Sequence, residues 1–511
     1  MGFKYFEFDL PTDYTPELLR NLIKEQLGTD SFDYKIDKQS LDGRNHRFIH
    51  WQVRVGVHSE VIKKSDDKKN YKLEIPKKTQ NKKVIVVGSG PAGLFAALVL
   101  QEAGFQTTVI EGGPEVFQRI KDVRDFEKNG NLNERSNYAF GEGGAGTFSD
   151  GKLTCRTKTI KAERKYIFNK LISAGAPEEI HYLSKPHVGS NILTKVARNL
   201  RKEFLENGGT IHFDCLMTDF EVKNGKVVSL ETELGKMDAD YFIFAIGHSS
   251  YPTYTKMIKN GVQFQSKTFA IGSRVEHFQE QINIALWKKP SLPGVKNADY
   301  ALTYNDAILP VYSFCMCPGG MVVPAPPEKG VNIVNGMSNY KRNYPFANSA
   351  IVAAVNLNEL LKKEVEPLEA LEWVSKLEHK FFDYVDGYAA PAVKVSDFLE
   401  NKTTSHFIET SYPFPLVTAE FRELMPKEIV QSQVKALREF SKKIDGFEDG
   451  YLMGLESRTS SPIQVKRNVG GLIDGFDNFY LAGEGSGFSG GIVSSAADGI
   501  KSAMNIIAKE S

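Results

Sequence analysis

Residues 84–111 constrain this chain more than any other stretch. Val84-Ile85-Val86-Val87 is an apolar run of strand character, and Gly88-Ser89-Gly90-Pro91-Ala92-Gly93 follows it. Residues 94–100 then read as a helix, and Thr107-Thr108-Val109-Ile110 as a second strand that ends at Glu111, eighteen positions past Gly93. This is a βαβ unit with the dinucleotide-binding fingerprint. Gly88 makes the tight turn, Gly90 lets backbone approach a pyrophosphate, and Gly93 lets helix and strand pack closely. The helix start at Pro91 and Ala92 offers free N–H groups and a positive dipole end to phosphates. Glu111 can accept hydrogen bonds from ribose hydroxyls and disfavours a 2′-phosphate, so the site should take FAD or NAD rather than NADP.

The bare glycine spacing recurs at Gly141, Gly143 and Gly146, and at Gly485, Gly487 and Gly490. The first copy has no apolar strand before it. The second follows the strand-like 478–482 and opens a helix-like run to Lys509, with no room for a second strand and its acid. Only the 84–111 copy has every part, so a second nucleotide-binding unit is not expected.

At 511 residues the chain is too long for one core, and two or three domains are expected. A formal net charge of +1 gives no general attraction to nucleic acid or anionic membrane. Four cysteines are too few for a disulfide framework, and the N-terminus has charges where a signal peptide needs an apolar stretch. The longest uncharged apolar stretch, 84–100, has the glycine motif at its centre and is short for a membrane span. A cytoplasmic protein is expected, with no metal site, since the cysteines lack paired zinc-ligand spacing.

Residues 1–60 read as a small α+β unit: strands over 3–8 and 48–57, and an amphipathic helix over 16–27. Nine lysines against three acids between Lys63 and Lys83 read as a solvated linker or edge strand, with a nucleic-acid or partner contact as the sharper alternative. Past the βαβ unit, helices are expected at about 162–173 and 192–206, the second capped by Ser190 or Asn191. Strands follow over 210–213, 217–222 and 226–231, with a hairpin at Asn224-Gly225, and a buried strand over 241–245. From 251 to 455 Pro, Tyr and Phe become frequent and long helices are expected at 348–364 and 426–444. The expected division is 1–80 for the N-terminal unit and basic linker and 81–250 for the first part of a cofactor domain. An inserted α+β substrate domain takes 251–455, and the cofactor domain closes over 456–511.

FAD is the better cofactor because it needs three separate loops along its length, and this chain has three. Besides the fingerprint there is Gly143-Gly144-Ala145-Gly146-Thr147, which allows close backbone approach. The third is Gly483-Glu484 at a strand end, whose carboxylate can bind ribitol or ribose hydroxyls. Beyond it Gly490-Gly491-Ile492 opens a helix whose N-terminus can face the flavin N1–C2=O edge, where negative charge gathers on reduction.

The segment 137–153, NYAFGEGGAGTFSDGKL, resembles a signature of the bacterial FAD-dependent dehydrogenases, the NAD(P)/FAD-dependent oxidoreductases. So do Phe269-Ala270-Ile271-Gly272 with Glu276-His277, residues 312–320, residues 335–338, residues 456–462 and residues 483–487. The resemblance spans almost the whole chain. It implies an α/β fold with a Rossmann-like FAD-binding domain of the glutathione-reductase type, an inserted substrate domain and an N-terminal extension. It also implies that Ala245-Ile246-Gly247 is a cofactor turn, that the Met217 backbone lies at the adenine, and that Glu484 stands where the wider superfamily has Asp. It names no substrate.

The expected activity is an FAD-dependent oxidoreductase acting on a small organic molecule, with a hydride passing through flavin N5. NAD(P)H would bind transiently or not at all, so an internal dehydrogenase and an NAD(P)H-fed reductase stay open. A flavin monooxygenase is one alternative; an FAD-containing RNA- or protein-binding module that docks through residues 1–80 is another. Six side chains are catalytic candidates. Lys152 follows the glycine turn and either approaches the ring or is a surface lysine. His187 and His248 sit at turns and act as acid or base if they face a pocket. Cys315 and Cys317 are either buried free thiols or a flavin-coupled pair, in a C-x-C spacing that would strain a disulfide. Arg458 clamps an anionic group or pairs with Glu456.

Overall fold

The computed structural model describes residues 2–64, 66, 71–78, 81–155, 157–305 and 307–510. The first unit is a three-stranded antiparallel sheet in which His50–Ser59 lies between Gly2–Pro11 and Asp33–Asp42. The helix Pro16–Leu27, capped by the Thr15 hydroxyl, buries Leu19 and Ile23 against Val53, Val55 and Val57. The Asp33–Asp42 strand was absent from the sequence pattern because its residues are mostly polar and half-exposed. This edge strand bridges to the main body: the Gln39 N–H donates to Tyr182 O at 2.8 Å, and the Ser184 N–H to Gln39 O at 2.9 Å. Within the lysine-rich 63–83 segment, residues 65, 67–70, 79 and 80 lie outside the described residues.

The nucleotide unit is a five-stranded parallel sheet ordered Thr210–His212, Gln106–Ile110, Lys83–Val87, Tyr241–Phe244, Phe479–Leu481. Its strands Lys83–Val87, Tyr241–Phe244 and Phe479–Leu481 are nearly all apolar because both faces are covered. One face carries the helices Pro91–Ala103 and Ile492–Lys509, which cross so closely that a Cβ on Gly499 would stand 1.9 Å from Ala92 O. The other carries the meander Met217–Lys223, Lys226–Thr232, Gly235–Met237, whose Phe220 packs on Phe244 and Phe479. Asn224 and Gly225 turn its first hairpin, both with positive φ (50° and 74°). The helix Ser190–Glu206 starts at Gly189 with no side-chain cap, so neither Ser190 nor Asn191 caps it.

The chain leaves and re-enters this unit through a two-stranded ribbon, Phe264–Ser266 against Ile463–Val465. Between them lies an eight-stranded sheet built around Val311–Pro324, Phe346–Val355, Phe269–Phe278 and Tyr451–Glu456. Helices Pro367–Val385 and Lys427–Lys443 pack on it. The helix expected at 348–364 is instead the strand Phe346–Val355 followed by the short helix Leu357–Leu361. Its alanines favour helix locally, but the strand lies between two partners in the sheet, and that pairing prevails. The 19-residue helix Pro367–Val385 was not anticipated.

Candidate functional site

Three glycine-built loops meet at the carboxyl ends of the parallel strands. In the first, Gly88 has φ +102°, and a Cβ there would stand 2.5 Å from Ala245 O. A Cβ on Gly93 would stand 1.9 Å from Gly88 O, so this pair is dictated by protein packing. Gly90 differs, because a Cβ there would meet only the Gly144 Cα, at 3.8 Å. The helix behind it, Pro91–Ala103, has no side-chain cap. Glu111 is buried and aimed back at the turn: Ser89 donates to Oε2 through its N–H (2.9 Å) and its hydroxyl (2.7 Å), and the Gly113 N–H donates to Oε1 at 3.0 Å. A lone pair remains on Oε1 for a further donor.

The second loop, 137–148, is organised by a residue that the sequence did not single out. The Arg119 guanidinium is completely buried and donates to the carbonyls of Asn137, Tyr138, Gly141, Glu142 and Gly144, with no carboxylate among the described residues forming an ion pair with it. Burial pulls its pKa down to about 10, which still leaves it charged. Nothing in the spacing of 116–129 separates Arg119 from the exposed basic residues beside it. The short 3-10 turn Ala145–Phe148 brings Gly146 against Ile492 and Pro91, and Thr147 is buried beneath Gly143.

The third loop joins Ala245–Gly247 to Gly483–Gly491. The Gly483 N–H donates to Asp498 Oδ2 at 2.8 Å, and the Tyr254 hydroxyl lies within hydrogen-bond distance of both Gly247 O and Gly485 O. His248 Nδ1 is 3.3 Å from Glu484 Oε2, while its buried Nε2 has no hydrogen-bond partner among the described residues. Gly247 has no atom within 4 Å of where its Cβ would be, and Gly491 has only Ser494 Oγ at 3.9 Å. Gly490 is exposed, with Glu484 Oε1 3.6 Å from its Cβ position, and the helix Ile492–Lys509 starts without a side-chain cap. Beside Glu111, the Cys215 N–H donates to Glu111 O; Met217 lies two residues on with its side chain buried, and the exposed Leu216 covers Gly112.

A family model described as "FAD-dependent protein, C-terminal domain-like" matches residues 268–459, and one described as "FAD binding domain" matches residues 83–118. An uncharacterized protein of Clostridium beijerinckii is 41% identical over 433 residues, which cover 83% of this chain and 80% of that one. The chain belongs to the FAD-dependent oxidoreductase family. Among solved structures, the flavin-dependent halogenase CmlS matches at 13% identity and a TM-score of 0.40, over 84% of this chain and 58% of its own. CtdE in complex with FAD matches at 11% identity and a TM-score of 0.36, over 84% of each chain.

FAD fits what the loops present. Bare backbone lies at Gly90, Gly247 and Gly491, two uncapped helix starts supply N–H donors, and the buried Nε2 of His248 lacks a partner among the described residues.

Among the catalytic candidates, four converge and two do not. The Lys152 ammonium donates to Asp150 Oδ2 (2.8 Å) and to Met316 O, so Lys152 is no plain surface lysine. Asp150 is fully buried and also receives Arg342 and the Ser338 hydroxyl. Burial alone would raise its pKa; Lys152 and Arg342 overcome that and hold it far below the carboxylate range. Burial alone would lower the pKa of Lys152; Asp150 together with Cys317 and Cys315 overcomes that and raises it. His187 pairs with Lys152 through an isolated β-bridge, and its Nε2 lies 3.0 Å from Tyr340 O. Burial and the nearby Arg342 push its pKa down to about 3, so it is neutral at ordinary pH. Cys315 and Cys317 flank the carbonyl that Lys152 holds. His248 belongs to the third loop instead. Arg458 pairs with neither an open space nor Glu456: it forms a two-pronged ion pair with the fully buried Glu378 (2.9 and 2.7 Å). Glu456 is taken by Arg274, at 2.8 and 2.9 Å.

Proposed function

We propose that this protein is an FAD-dependent dehydrogenase or reductase of the glutathione-reductase structural type, acting on a small organic substrate in the cytoplasm. What supports the reading most is one observation: where three loops far apart in sequence meet, bare glycine backbone lies at Gly90 in the first and at Gly247 and Gly491 in the third, with no side-chain atom nearer to their Cβ positions than Ser494 Oγ at 3.9 Å.

Gly88–Gly93 would hold the pyrophosphate on the Pro91–Ala103 helix start, and Glu111 would receive the adenosine ribose, with the Met217 backbone at the adenine. Gly143–Thr147 would run along the middle of the cofactor. Ala245, Gly247, Gly483 and Glu484 would hold the ribitol side, and the start of Ile492–Lys509 at Gly490, Gly491 and Ile492 would face the ring. When bound, FAD supplies two-electron hydride chemistry. The Ile492–Lys509 dipole would favour the reduced, negatively charged ring and raise its potential. NAD(P)H is the proposed transient partner, visiting without a nucleotide unit of its own.

Anaerobic titration of the yellow protein with NADH and then NADPH tests this. Loss of the flavin absorbance within the mixing time by one of them is expected. A protein that stays colourless after incubation with FAD ends the proposal. A yellow protein that neither nucleotide bleaches removes the NAD(P)H arm and leaves an internal dehydrogenase.

A further inference from the structure

Cys315 has φ +46°, in the left-handed region that non-glycine residues seldom enter. It stands where Val311–Pro324 carries one extra residue against its neighbour: Phe314 faces Ala350, yet Cys317 already faces Asn348. The bulge turns two residues of a C-x-C spacing toward each other. The Cys317 thiol donates to Cys315 O at 3.1 Å. Both thiols are free; Cys317 is fully buried and Cys315 is partly exposed. Two cations bracket the bulge. Lys152 donates to the intervening Met316 carbonyl, and Arg274 Nη1 donates to Cys315 O at 3.4 Å. Two acids stand behind these cations: Asp150, which Lys152 and Arg342 neutralise, and Glu456, which is paired with Arg274. Lys152 also ties the bulge to the segment that leaves the Gly143–Thr147 turn, six residues from Gly146.

We propose that Cys315 and Cys317 form a reversible dithiol–disulfide pair that exchanges two electrons with the flavin and, through Cys315, with a small external disulfide or thiol. The flavin arm rests on the function proposed above; the external arm does not. Backbone strain kept at a partly exposed, electropositive thiol is the usual setting of a reactive cysteine. The neighbouring Cys317, with Lys152 and Arg274 against burial, draws the Cys315 thiol toward thiolate, while Cys317, whose thiol donates to Cys315 O, is held protonated.

In the external arm the Cys315 thiolate attacks one sulfur of R–S–S–R and expels RS⁻. Cys317 loses its proton, attacks the Cys315 sulfur, and the second RS⁻ departs with that proton as RSH. In the flavin arm the same dithiol gives two electrons and the Cys317 proton to FAD as the S–S bond forms; the reverse restores both thiols.

The test equilibrates the full chain anaerobically with glutathione and its disulfide at a series of ratios. It then quenches with N-ethylmaleimide and reads the peptide holding residues 315–317 by mass, with the flavin spectrum recorded in parallel. The expected result is two labels in reducing mixtures and an internal disulfide in oxidising ones. Cys317→Ser is expected to trap glutathione on Cys315, and Cys315→Ser to leave Cys317 without it. Lys152→Met is expected to move the pH profile of Cys315 alkylation upward by about one unit or more. Two labels at every ratio, or glutathione on Cys317 but not on Cys315, would overturn the proposal. A yellow protein with inert thiols defeats the dithiol alone. A colourless protein whose thiols still cycle upholds the pair and defeats the flavin reading.

Discussion

Two helices begin at the same end of the parallel sheet, and their glycines serve different ends. At Pro91–Ala103 the flanking Gly88 and Gly93 are hemmed in by backbone, with Ala245 O and Gly88 O at 2.5 and 1.9 Å from the Cβ positions. At Ile492–Lys509, Gly491 has nothing beyond its own first turn near it, and Gly490 only the Glu484 carboxylate. Gly90 sits in the crowded turn yet shares the openness of the second. At these two helix starts glycine thus marks either a place where chain meets chain, or a place kept clear for something that is not chain. Stability depends on the first kind and cofactor retention on the second.

The sharpest way to break that division is Gly93→Val. Its side chain would enter the Gly88 carbonyl, so the cost should exceed the ~1–3 kcal/mol of ordinary overpacking. Thermal unfolding should show little folded protein, and a variant within about 0.5 kcal/mol of wild type would sink the packing account. Arg119→Met, which keeps much of the volume, strands five carbonyls and should cost about 3 kcal/mol while weakening FAD retention. Denaturant unfolding with and without FAD measures both effects. Acid should act away from both helix ends. Folded His187 and His277 have pKa values lowered by burial to about 3 and about 4, below their unfolded value of 6.5. The unfolded chain therefore binds their protons first, and stability should fall as pH drops below about 6.5, by on the order of 1 kcal/mol per histidine at about pH 5.5. Urea midpoints at the two pH values check this, and His277→Gln should flatten the slope. Gly90→Glu should leave the stability of the flavin-free protein within about 0.5 kcal/mol, yet abolish FAD retention through bulk and negative charge at the pyrophosphate. A variant still yellow after dialysis would mean that the open space at Gly90 is not where the phosphates lie.

The βαβ fingerprint, the 224–225 hairpin and the late glycine turn were legible because each is a local pattern. Their spacing states which backbone positions must lack a side chain and which must be apolar on both faces. Residues 346–355 were misread because Ala-rich segments favour helix until sheet neighbours claim them. Arg119 was invisible for a related reason: its five partners lie eighteen or more residues away, and no spacing rule links a helix arginine to distant carbonyls. The pairing of Arg458 with Glu378 rather than Glu456 has the same origin, since only packing brings a residue eighty positions away into contact.

The order of amino acids, taken alone, determined the nucleotide unit and its cofactor class, because turns, strand alternation and helix starts are written in neighbouring residues. The tertiary structure decided which charges pair, which strands join and which thiols meet. Those outcomes depend on surfaces brought together across the chain, where burial makes an unmatched charge or carbonyl too costly to leave.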